Sequence, residues 1–301
     1  MTEAPLVAGV ELGGTKCNLV LGRGPDAMLE SVRIPTTRPD ETLAAIEATL
    51  DSWRGFAAVG IASFGPISVD LASPAFGRIT STPKPGWRDT DVVRRIAARY
   101  GVPVGFPTDV AGAALAEAQW GAAKGLRDLA YVTVGTGVGV GIVAGGRPVD
   151  GLTHGELGHI RPVRLSGDDW TGACPFHGAC VEGLAAGPAI AARTGMKGQD
   201  LPADHSAWDG VAHALAQLLH AVTLTGVPRR IVMGGGVMVG QQALFPRIRE
   251  RLKASLGGYV ALPEVEAIDT FVVPAALGND AGPLGAILLG QQAAETSFTS
   301  G

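Results

Sequence analysis

Short apolar runs alternate with amphipathic stretches along the whole chain. In the first half, apolar runs at Leu6–Leu12, Cys17–Leu21 and Ala57–Ser63 predict buried strands, and Ser31–Pro35 predicts a further one. Between them, Glu41–Trp53 carries Leu and Ile at helical spacing, which predicts a helix. This half therefore begins as a strand hairpin and continues as alternating helix and strand.

The remaining pattern repeats that arrangement. The first half continues with a helix at Asp91–Tyr100, a strand at Val102–Phe106 and a helix from about Asp109. The second half has predicted strands at Leu129–Val134, Val138–Val143, Arg230–Met233 and Phe271–Pro274, and predicted helices at Ser206–Leu224, Gln241–Leu256 and Ala281–Ala293. Each half reads as hairpin, strand, helix, strand, helix. The duplication predicts two related α/β domains that face each other over a cleft.

The predicted division places the N-terminal domain at residues 1–118 and the C-terminal domain at 119–280. A closing helix at about 281–301 is expected to pack back on the first domain. The segment 151–188 interrupts the pattern, and it contains two of the three cysteines and three of the six histidines. An irregular segment so rich in ligand-type side chains is better explained by a bound metal than by chance.

Composition narrows the class of protein. Charged residues make up 17% and hydrophobic residues 46%, which is typical of a packed globular chain. A net charge of −4 gives no basic excess to attract nucleic acid or anionic lipid. The N-terminus has neither the basic flank nor the long apolar run of a signal peptide or membrane anchor. We therefore expect a cytoplasmic protein with reduced thiols, and no nucleic-acid or membrane partner.

Two glycine-containing turns are candidates for phosphate binding. Gly13-Gly14-Thr15-Lys16 lies at the tip of the first hairpin, and Gly135-Thr136-Gly137 lies at the matching tip in the second half. Such turns expose backbone N–H groups without a Cβ in the way, so phosphate oxygens can approach. One of these turns alone is more often a plain tight turn. Two at matching places indicate a nucleotide bound between the domains.

The familiar nucleotide motifs do not fit. No string has the spacing of a P-loop, in which four residues separate a glycine from Gly-Lys and Ser or Thr follows. Gly139, Gly141 and Ala144 match the spacing of a dinucleotide fingerprint, but they lie in a predicted strand that Gly145-Gly146 ends. The nucleotide is therefore expected to bind by the paired turns.

Asp109 is the candidate catalytic residue. It follows a short strand and begins a helix, where a carboxylate can accept a proton from a substrate hydroxyl. A plain N-cap role for the same side chain is common, and the sequence alone leaves both roles open.

Cys174, His177 and Cys180 lie three residues apart. Thiolate, imidazole and thiolate at this spacing can surround one tetrahedral ion, and His159 could complete the set. A surface loop with two unrelated cysteines is the alternative. Glu156 and His159 do not form a zinc-protease helix, because Gly155 stands where that motif needs histidine.

Taken together, these segments resemble the ROK family of bacterial sugar kinases and repressors. The resemblance rests on GVELGGTK at Gly9–Lys16, TDVAGAALAE at Thr108–Glu117, VGTGVGVG at Val134–Gly141, HGELGH at His154–His159, CPFHGACVEGLAAGPA at Cys174–Ala189 and MGGGV at Met233–Val237. Within the family the chain is most similar to the fructokinases, through Glu11, His177 and TPKPGW at Thr82–Trp87.

This resemblance implies two actin-like (ribonuclease H-like) domains flanking an active-site cleft, with a zinc-binding loop. It implies that Asp109 is the general base and that Glu156, His159, Glu182 and Thr108, where many relatives have Asn, contact the sugar. The implied ligands of a structural zinc ion are His159, Cys174, His177 and Cys180.

The resemblance also implies an ATP site with Mg²⁺ near Glu11. The implied nucleotide residues are Gly13, Gly14, Thr15, Lys16, Gly135, Thr136, Gly137 and Gly187, with Gly234, Gly235 and Gly236 bordering the adenine. The family's repressors carry a DNA-binding segment ahead of the first strand, for which this sequence leaves no room, so a kinase is expected.

The expected function is ATP-dependent phosphorylation of fructose by a homodimer. A glucokinase, mannokinase or other hexose kinase of the same family stays open as an alternative, because pocket geometry decides among hexoses. So does a sugar sensor that binds without turnover, although Asp109 and the two turns count against it.

Overall fold

A computed structural model describes residues 4–299 of the chain. The described chain forms two compact units. The first comprises residues up to Ala116, Val149–His154 and the residues from Asp280, and the second comprises Glu117–Pro148 and Gly155–Asn279. Among the described residues, no helix combines the length and the apolar character needed to cross a membrane.

The first unit contains a five-stranded mixed sheet with helices. In chain order its elements are β1 (Val7–Leu12), β2 (Lys16–Gly22), β3 (Met28–Pro35), α1 (Pro39–Ser52), β4 (Val59–Ser63), β5 (Arg78–Ile79), β6 (Thr90–Asp91), α2 (Val93–Tyr100), β7 (Val104–Gly105) and α3 (Asp109–Trp120), with a 3-10 turn at Pro25–Ala27. The strands are ordered β3-β2-β1-β4-β7, and β5 and β6 form a separate pair. The first three strands are antiparallel, whereas β1, β4 and β7 run parallel.

The second unit repeats this sheet. Its elements are β8 (Leu129–Val134), β9 (Val138–Ala144), β10 (Arg147–Pro148), α4 (Val181–Ala185), α5 (Gly187–Thr194), α6 (Ala207–Gly226), β11 (Ile231–Gly234), α7 (Gly236–Gly240), α8 (Leu244–Leu256), α9 (Pro263–Glu266), α10 (Ile268–Phe271) and β12 (Val272–Pro274), with 3-10 turns at Leu157–His159 and Gly278–Asp280. The order β10-β9-β8-β11-β12 matches the first sheet position by position. The predicted duplication of a mixed α/β unit is therefore confirmed.

The last helix, α11 (Ala281–Thr299), belongs to the first unit, where it packs on β1, β4 and β7. Glycine makes this close packing possible. A Cβ on Gly60 in β4 would lie 1.9 Å from the carbonyl oxygen of Ala286, and any larger residue would push the helix off the sheet. The fully buried side chains of Trp87 and Trp208 lie in the separate apolar cores of the two units.

Two sequence-based expectations about local structure are wrong. Segment 151–188 is not irregular throughout, because it contains a 3-10 turn, α4 and the start of α5. The helix expected from Gln241 begins at Leu244, and a separate short helix, α7, precedes it. In segment 151–188, Gly and Pro interrupt the apolar pattern that predicts helices, whereas Gln241 and Gln242 continue the polar spacing of a helix although α8 begins only at Leu244.

Candidate active site

Four potential metal ligands cluster in the second unit. One ligand atom from each of His159, Cys174, His177 and Cys180 lies within 4.8 Å of the other three. Cys174 Sγ lies 3.8 Å from Nδ1 of His159 and 3.7 Å from Nδ1 of His177, and Cys180 Sγ lies 3.7 Å from Nδ1 of His159. The structure thus brings together the four residues that the sequence nominates.

The cluster has the dimensions of a zinc site. With Zn–S near 2.3 Å and Zn–N near 2.0 Å, a tetrahedral ion holds neighbouring sulfur and nitrogen atoms about 3.5 Å apart. The sulfur–nitrogen distances of 3.7–3.8 Å are close to this value. Burial raises the pKa of the Cys180 thiol to about 11, and a bound divalent cation would favour the thiolate instead. Two thiols and two imidazoles are also the donors that zinc prefers.

Local structure holds these ligands in place. Cys174 and Gly178 exchange two backbone hydrogen bonds, of 3.2 and 2.9 Å, which close a tight loop around His177. Cys180 is the N-cap of α4, and its sulfur accepts a hydrogen bond from the amide of Gly183 at 3.4 Å. The thiol of Cys180 therefore serves helix α4 as well as the metal cluster.

Glu182, two residues into α4, lies beside both the cluster and the second glycine turn. Its Oε2 accepts a hydrogen bond from the amide of Val138 at 3.1 Å, and its Oε1 lies 4.0 Å from Nε2 of His159. A distance of 4.0 Å is too long for a direct hydrogen bond. Because Nδ1 of His159 faces the sulfurs, its Nε2 is left on the side of Glu182. Both groups are suited to contact a hydroxyl-rich ligand.

The glycine residues nominated for nucleotide binding in this unit also come together. The amide of Gly187 donates to the carbonyl of Gly135 at 2.8 Å, which attaches the start of α5 to the hairpin tip. A Cβ placed on Gly135 would lie 3.8 Å from the amide nitrogen of Gly236. Gly235 has φ of 86°, and a Cβ there would lie 2.5 Å from the carbonyl oxygen of Val134. Backbone thus approaches backbone at this place, which glycine allows, and a glycine-rich backbone of this kind is suited to the close approach of an anion.

The first glycine turn joins β1 to β2 in the first unit. The amide of Gly13 donates to the carbonyl of Lys16 at 3.1 Å, and the hydroxyl of Thr36 donates to the carbonyl of Gly13 at 2.7 Å. Gly14, Thr15 and Lys16 are exposed, with no other atom within 4 Å of a Cβ placed on Gly14. The predicted turn is therefore present, and its tip is open to a ligand.

Glu11 lies at the end of β1, opposite Asn18 of β2. The side-chain amide of Asn18 donates to Glu11 Oε2, and Arg33 donates in turn to Asn18 Oδ1 at 3.0 Å. Burial raises the pKa of Glu11 above its ordinary value, while the amide of Asn18 and the charge of Lys16 oppose the shift. A carboxylate held in this way is suited to interact with a hydrated cation.

Asp109 and Thr108 divide the start of α3 between them. The hydroxyl of Thr108 accepts a hydrogen bond from the amide of Ala111 at 3.2 Å, and its carbonyl accepts the bond from Gly112 at 3.0 Å. These are the contacts of an N-cap residue. Asp109 Oδ1 instead accepts from the adjacent amide of Val110 at 2.9 Å. The helix-capping role weighed for Asp109 therefore belongs to Thr108.

The remaining nominated residues have simple placements. Glu156 is exposed and precedes the 3-10 turn that contains His159, and Thr136 is exposed at its hairpin tip. Gly234 ends β11. Outside the cluster, a ring nitrogen of His205, His213 and His220 lies within hydrogen-bond distance of Ala207, Val163 and Ser255 respectively.

Sequence reasoning missed two residues. Lys84 lies against the first glycine turn, 70 residues away along the chain. Glu117 is fully buried, and its carboxylate accepts hydrogen bonds from the amides of Ala122, Ala276 and Leu277. The sequence signal for Lys84 was its place in TPKPGW, and that for Glu117 was an acidic residue among the alanines and apolar residues of α3.

Comparison with known proteins gives a consistent result. A fructokinase of Pediococcus pentosaceus is 42% identical over 288 residues, covering 96% of this chain and 98% of the relative. A fructokinase of Zymomonas mobilis is 43% identical, covering 93% and 94%. The crystal structure of a ROK family glucokinase from Streptomyces griseus in complex with glucose and AMPPNP is similar with a TM-score of 0.77 at 26% identity, covering 95% and 99%. Residues 7–293 match the ROK family. The chain belongs to the ROK family.

Proposed function

We propose that the chain is an ATP-dependent fructokinase, which transfers the γ-phosphoryl group of ATP to the 6-hydroxyl of D-fructose. The family and the identity of about 40% to two fructokinases support this assignment. Fructose is favoured over glucose because relatives named fructokinase are about 40% identical to this chain over nearly its whole length.

One observation carries the chemistry. Glu182 links a cluster suited to orient a polar ligand with a turn suited to hold phosphate, through the 3.1 Å hydrogen bond from Val138 and the proximity of His159. A sugar kinase needs these two kinds of site beside each other, because phosphoryl transfer depends mainly on positioning and charge stabilisation. A sensor that only binds sugar has no use for the second.

The sugar is proposed to contact Thr108, Glu156, His159 and Glu182. Asp109 is proposed as the general base: its carboxylate takes the proton of the 6-hydroxyl as the new O–P bond forms and the bond from the γ-phosphorus to the β-γ bridging oxygen breaks. Asp109 is the first residue of α3, and the N-cap contact of that helix is made by Thr108. The positive end of the helix favours the carboxylate form there.

ATP is proposed to bind along the two turns. Gly13, Gly14, Thr15 and Lys16 contact phosphates from the first unit, and Gly135, Thr136, Gly137 and Gly187 from the second. Gly234, Gly235 and Gly236 border the adenine. When bound near Glu11, Mg²⁺ would neutralise the phosphate charge. A structural zinc ion would be held by His159, Cys174, His177 and Cys180, and would fix the tautomer of His159.

Three further features belong to the same proposal. Residues 1–118 and 119–280 act as the two actin-like domains, with the helix from about 281 packing on the first. The enzyme acts in the cytoplasm and forms a homodimer. Light scattering coupled to size-exclusion chromatography would give about twice the 30.7 kDa chain mass for a dimer.

The test is an ADP-release assay on the purified protein with fructose, glucose, mannose and N-acetylglucosamine. The expected result is the highest kcat/KM for fructose, with fructose 6-phosphate as the product. A clear preference for another hexose would replace fructose and leave the kinase intact. Binding of sugar without phosphorylation of any member of the panel would favour the sensor instead.

A further inference from the structure

Lys84 projects onto the first glycine turn. Its ammonium donates to the carbonyl of Gly14 at 2.7 Å and to the carbonyl of Thr36 at 3.3 Å. Gly14 lies at the open tip of the turn, and the hydroxyl of Thr36 stabilises the same turn by donating to the carbonyl of Gly13. A positive charge thus lies where the proposed phosphates of ATP would approach.

The backbone around Lys84 is restricted by prolines and anchored by a buried tryptophan. Pro83 and Pro85 flank the lysine and restrict the backbone on both sides. Two residues further on, Trp87 is fully buried, packs edge-on against Phe64 at 5.3 Å, and donates its indole N–H to the carbonyl of Thr37 at 2.8 Å. The anchored backbone and the two hydrogen bonds of the ammonium together limit the positions of Lys84, which lowers the entropy cost of using it in binding.

The donor count of the ammonium favours a ligand. A lysine ammonium has three N–H donors and no acceptor. The two carbonyls account for two donors, which leaves one for an oxygen of a ligand. With Lys16 in the same turn, two cations lie beside the exposed backbone of Gly14, where an added Cβ would meet no atom within 4 Å. Such a combination of point charges and backbone N–H groups suits a polyphosphate rather than a neutral sugar.

We propose that Lys84 is a binding residue for the terminal phosphates of ATP, acting together with Lys16. This proposal rests on the proposed kinase function. It gives the Thr82–Trp87 segment a role in the reaction, which it otherwise lacks. The segment is a loop that brings the Lys84 ammonium to the phosphates, although Lys84 is 70 residues from Gly14 in the sequence.

The principal test is Lys84→Met, which keeps the apolar stem and removes the charge. A charge-assisted hydrogen bond contributes about 1.5–3 kcal/mol, so the KM for Mg-ATP should rise about ten- to hundredfold. The KM for fructose should change by less than about threefold. Titration calorimetry with Mg-ATP alone should show the same loss of affinity. The affinity of Lys84→Met for Mg-ATP should also fall less steeply with added salt than that of the wild type, because one cation is missing.

Three variants separate binding from mere support of the turn. Lys84→Arg keeps the charge and should restore most of the affinity, and Lys124→Ala, an exposed lysine in the second unit, should match the wild type. Thr36→Val removes the hydroxyl brace of the turn without removing a charge. It should lower the melting temperature but keep the wild-type salt dependence.

Wild-type affinity for Mg-ATP in Lys84→Met would overturn the proposal. So would an equal loss in Thr36→Val together with an unchanged salt dependence in Lys84→Met, because the lysine would then only support the turn. Calorimetry with Mg-ATP needs no turnover, so the role of Lys84 can fail or stand independently of whether fructose is the substrate.

Discussion

Replacing Cys180 by serine separates the two roles that this thiol has in the structure. As the N-cap of α4 it accepts a hydrogen bond from Gly183, and as a member of the cluster it faces Nδ1 of His159 at 3.7 Å. Serine is a good N-cap but a poor ligand for zinc. Cys180→Ser should therefore keep α4 and lose the metal, whereas Cys180→Ala should lose both. The cap makes the alanine variant less stable than the serine variant by about 1 kcal/mol.

The size of the effect on catalysis follows from the contacts of His159 and Glu182. The 4.0 Å between His159 Nε2 and Glu182 Oε1 is too long for a hydrogen bond that could orient the imidazole. The imidazole of His159 is then oriented through its Nδ1, which faces the sulfurs of Cys174 and Cys180 in the metal cluster. Loss of one hydrogen bond from an oriented group to the sugar, with Glu182 as a charged neighbour, costs about 1.5–3 kcal/mol, or about ten- to hundredfold in the KM for fructose.

The KM for ATP should change much less. The 3.1 Å hydrogen bond from Val138 keeps Glu182 attached to the second glycine turn when the metal is gone. The assay combines elemental analysis for zinc, KM for both substrates and a melting curve. One zinc per chain is expected in the wild type and none in Cys180→Ser, and His213→Gln, which changes a histidine outside the cluster, should retain the metal.

Two results would refute this reasoning. One is a Cys180→Ser variant that loses zinc while keeping the wild-type KM for fructose, since the metal would then not orient the sugar site. The other is a wild-type protein that is purified without zinc and is fully active. A larger rise in the KM for ATP than for fructose would show that the cluster acts on the phosphate turn instead.

Three further substitutions test other parts of the site. Asp109→Asn should lower kcat about 10²–10⁴-fold with fructose binding retained, as expected for a lost general base. Near-normal turnover in an Asp109→Asn variant that binds fructose in calorimetry would contradict that role. Thr108→Ala should destabilise the chain by about 1 kcal/mol in denaturant unfolding, because it removes the N-cap of α3, and Thr108→Ser should restore it. Gly235→Ala should lower the free energy of unfolding by more than about 1 kcal/mol and weaken Mg-ATP binding, because the φ of 86° and the 2.5 Å approach to the carbonyl oxygen of Val134 exclude a Cβ. Gly240→Ala is the control and should be close to neutral, because a Cβ at Gly240 would meet no atom within 4 Å.

The regular parts of the fold could be predicted from local pattern. The strand at Leu129–Val134 has the predicted ends. In a sheet covered by helices, a buried strand is a short apolar run, and it ends where the chain leaves the core. The hairpin that opens each half was predicted from the order of the elements, and the parallel pairing of the other strands was not. The start of α8 was misplaced because Gln241 and Gln242 continue the polar spacing of a helix, although the backbone turns before Leu244.

The short helices of segment 151–188 could not be predicted in the same way. Helix α4 has only five residues, too few for intrinsic helix propensity to matter. It exists because Cys180 caps it and because it packs against α6. The four cluster residues were recognised from their chemistry, which is independent of secondary structure. By contrast, the contact of Lys84 with Gly14 depends on tertiary structure alone, and no spacing rule connects the two.

The start of α3 shows why residue type alone left the role of Asp109 open. In the sequence Thr108-Asp109 both side chains are good N-caps, so either could satisfy the amides at the start of the helix. The structure gives the bond from Ala111 to Thr108 and leaves the carboxylate one residue further along, at a position that the helix N-terminus favours electrostatically. Capping and catalysis can therefore be tested separately at this pair. Thr108→Ala removes the N-cap and should lower stability, whereas Asp109→Asn removes the proposed base and should lower kcat.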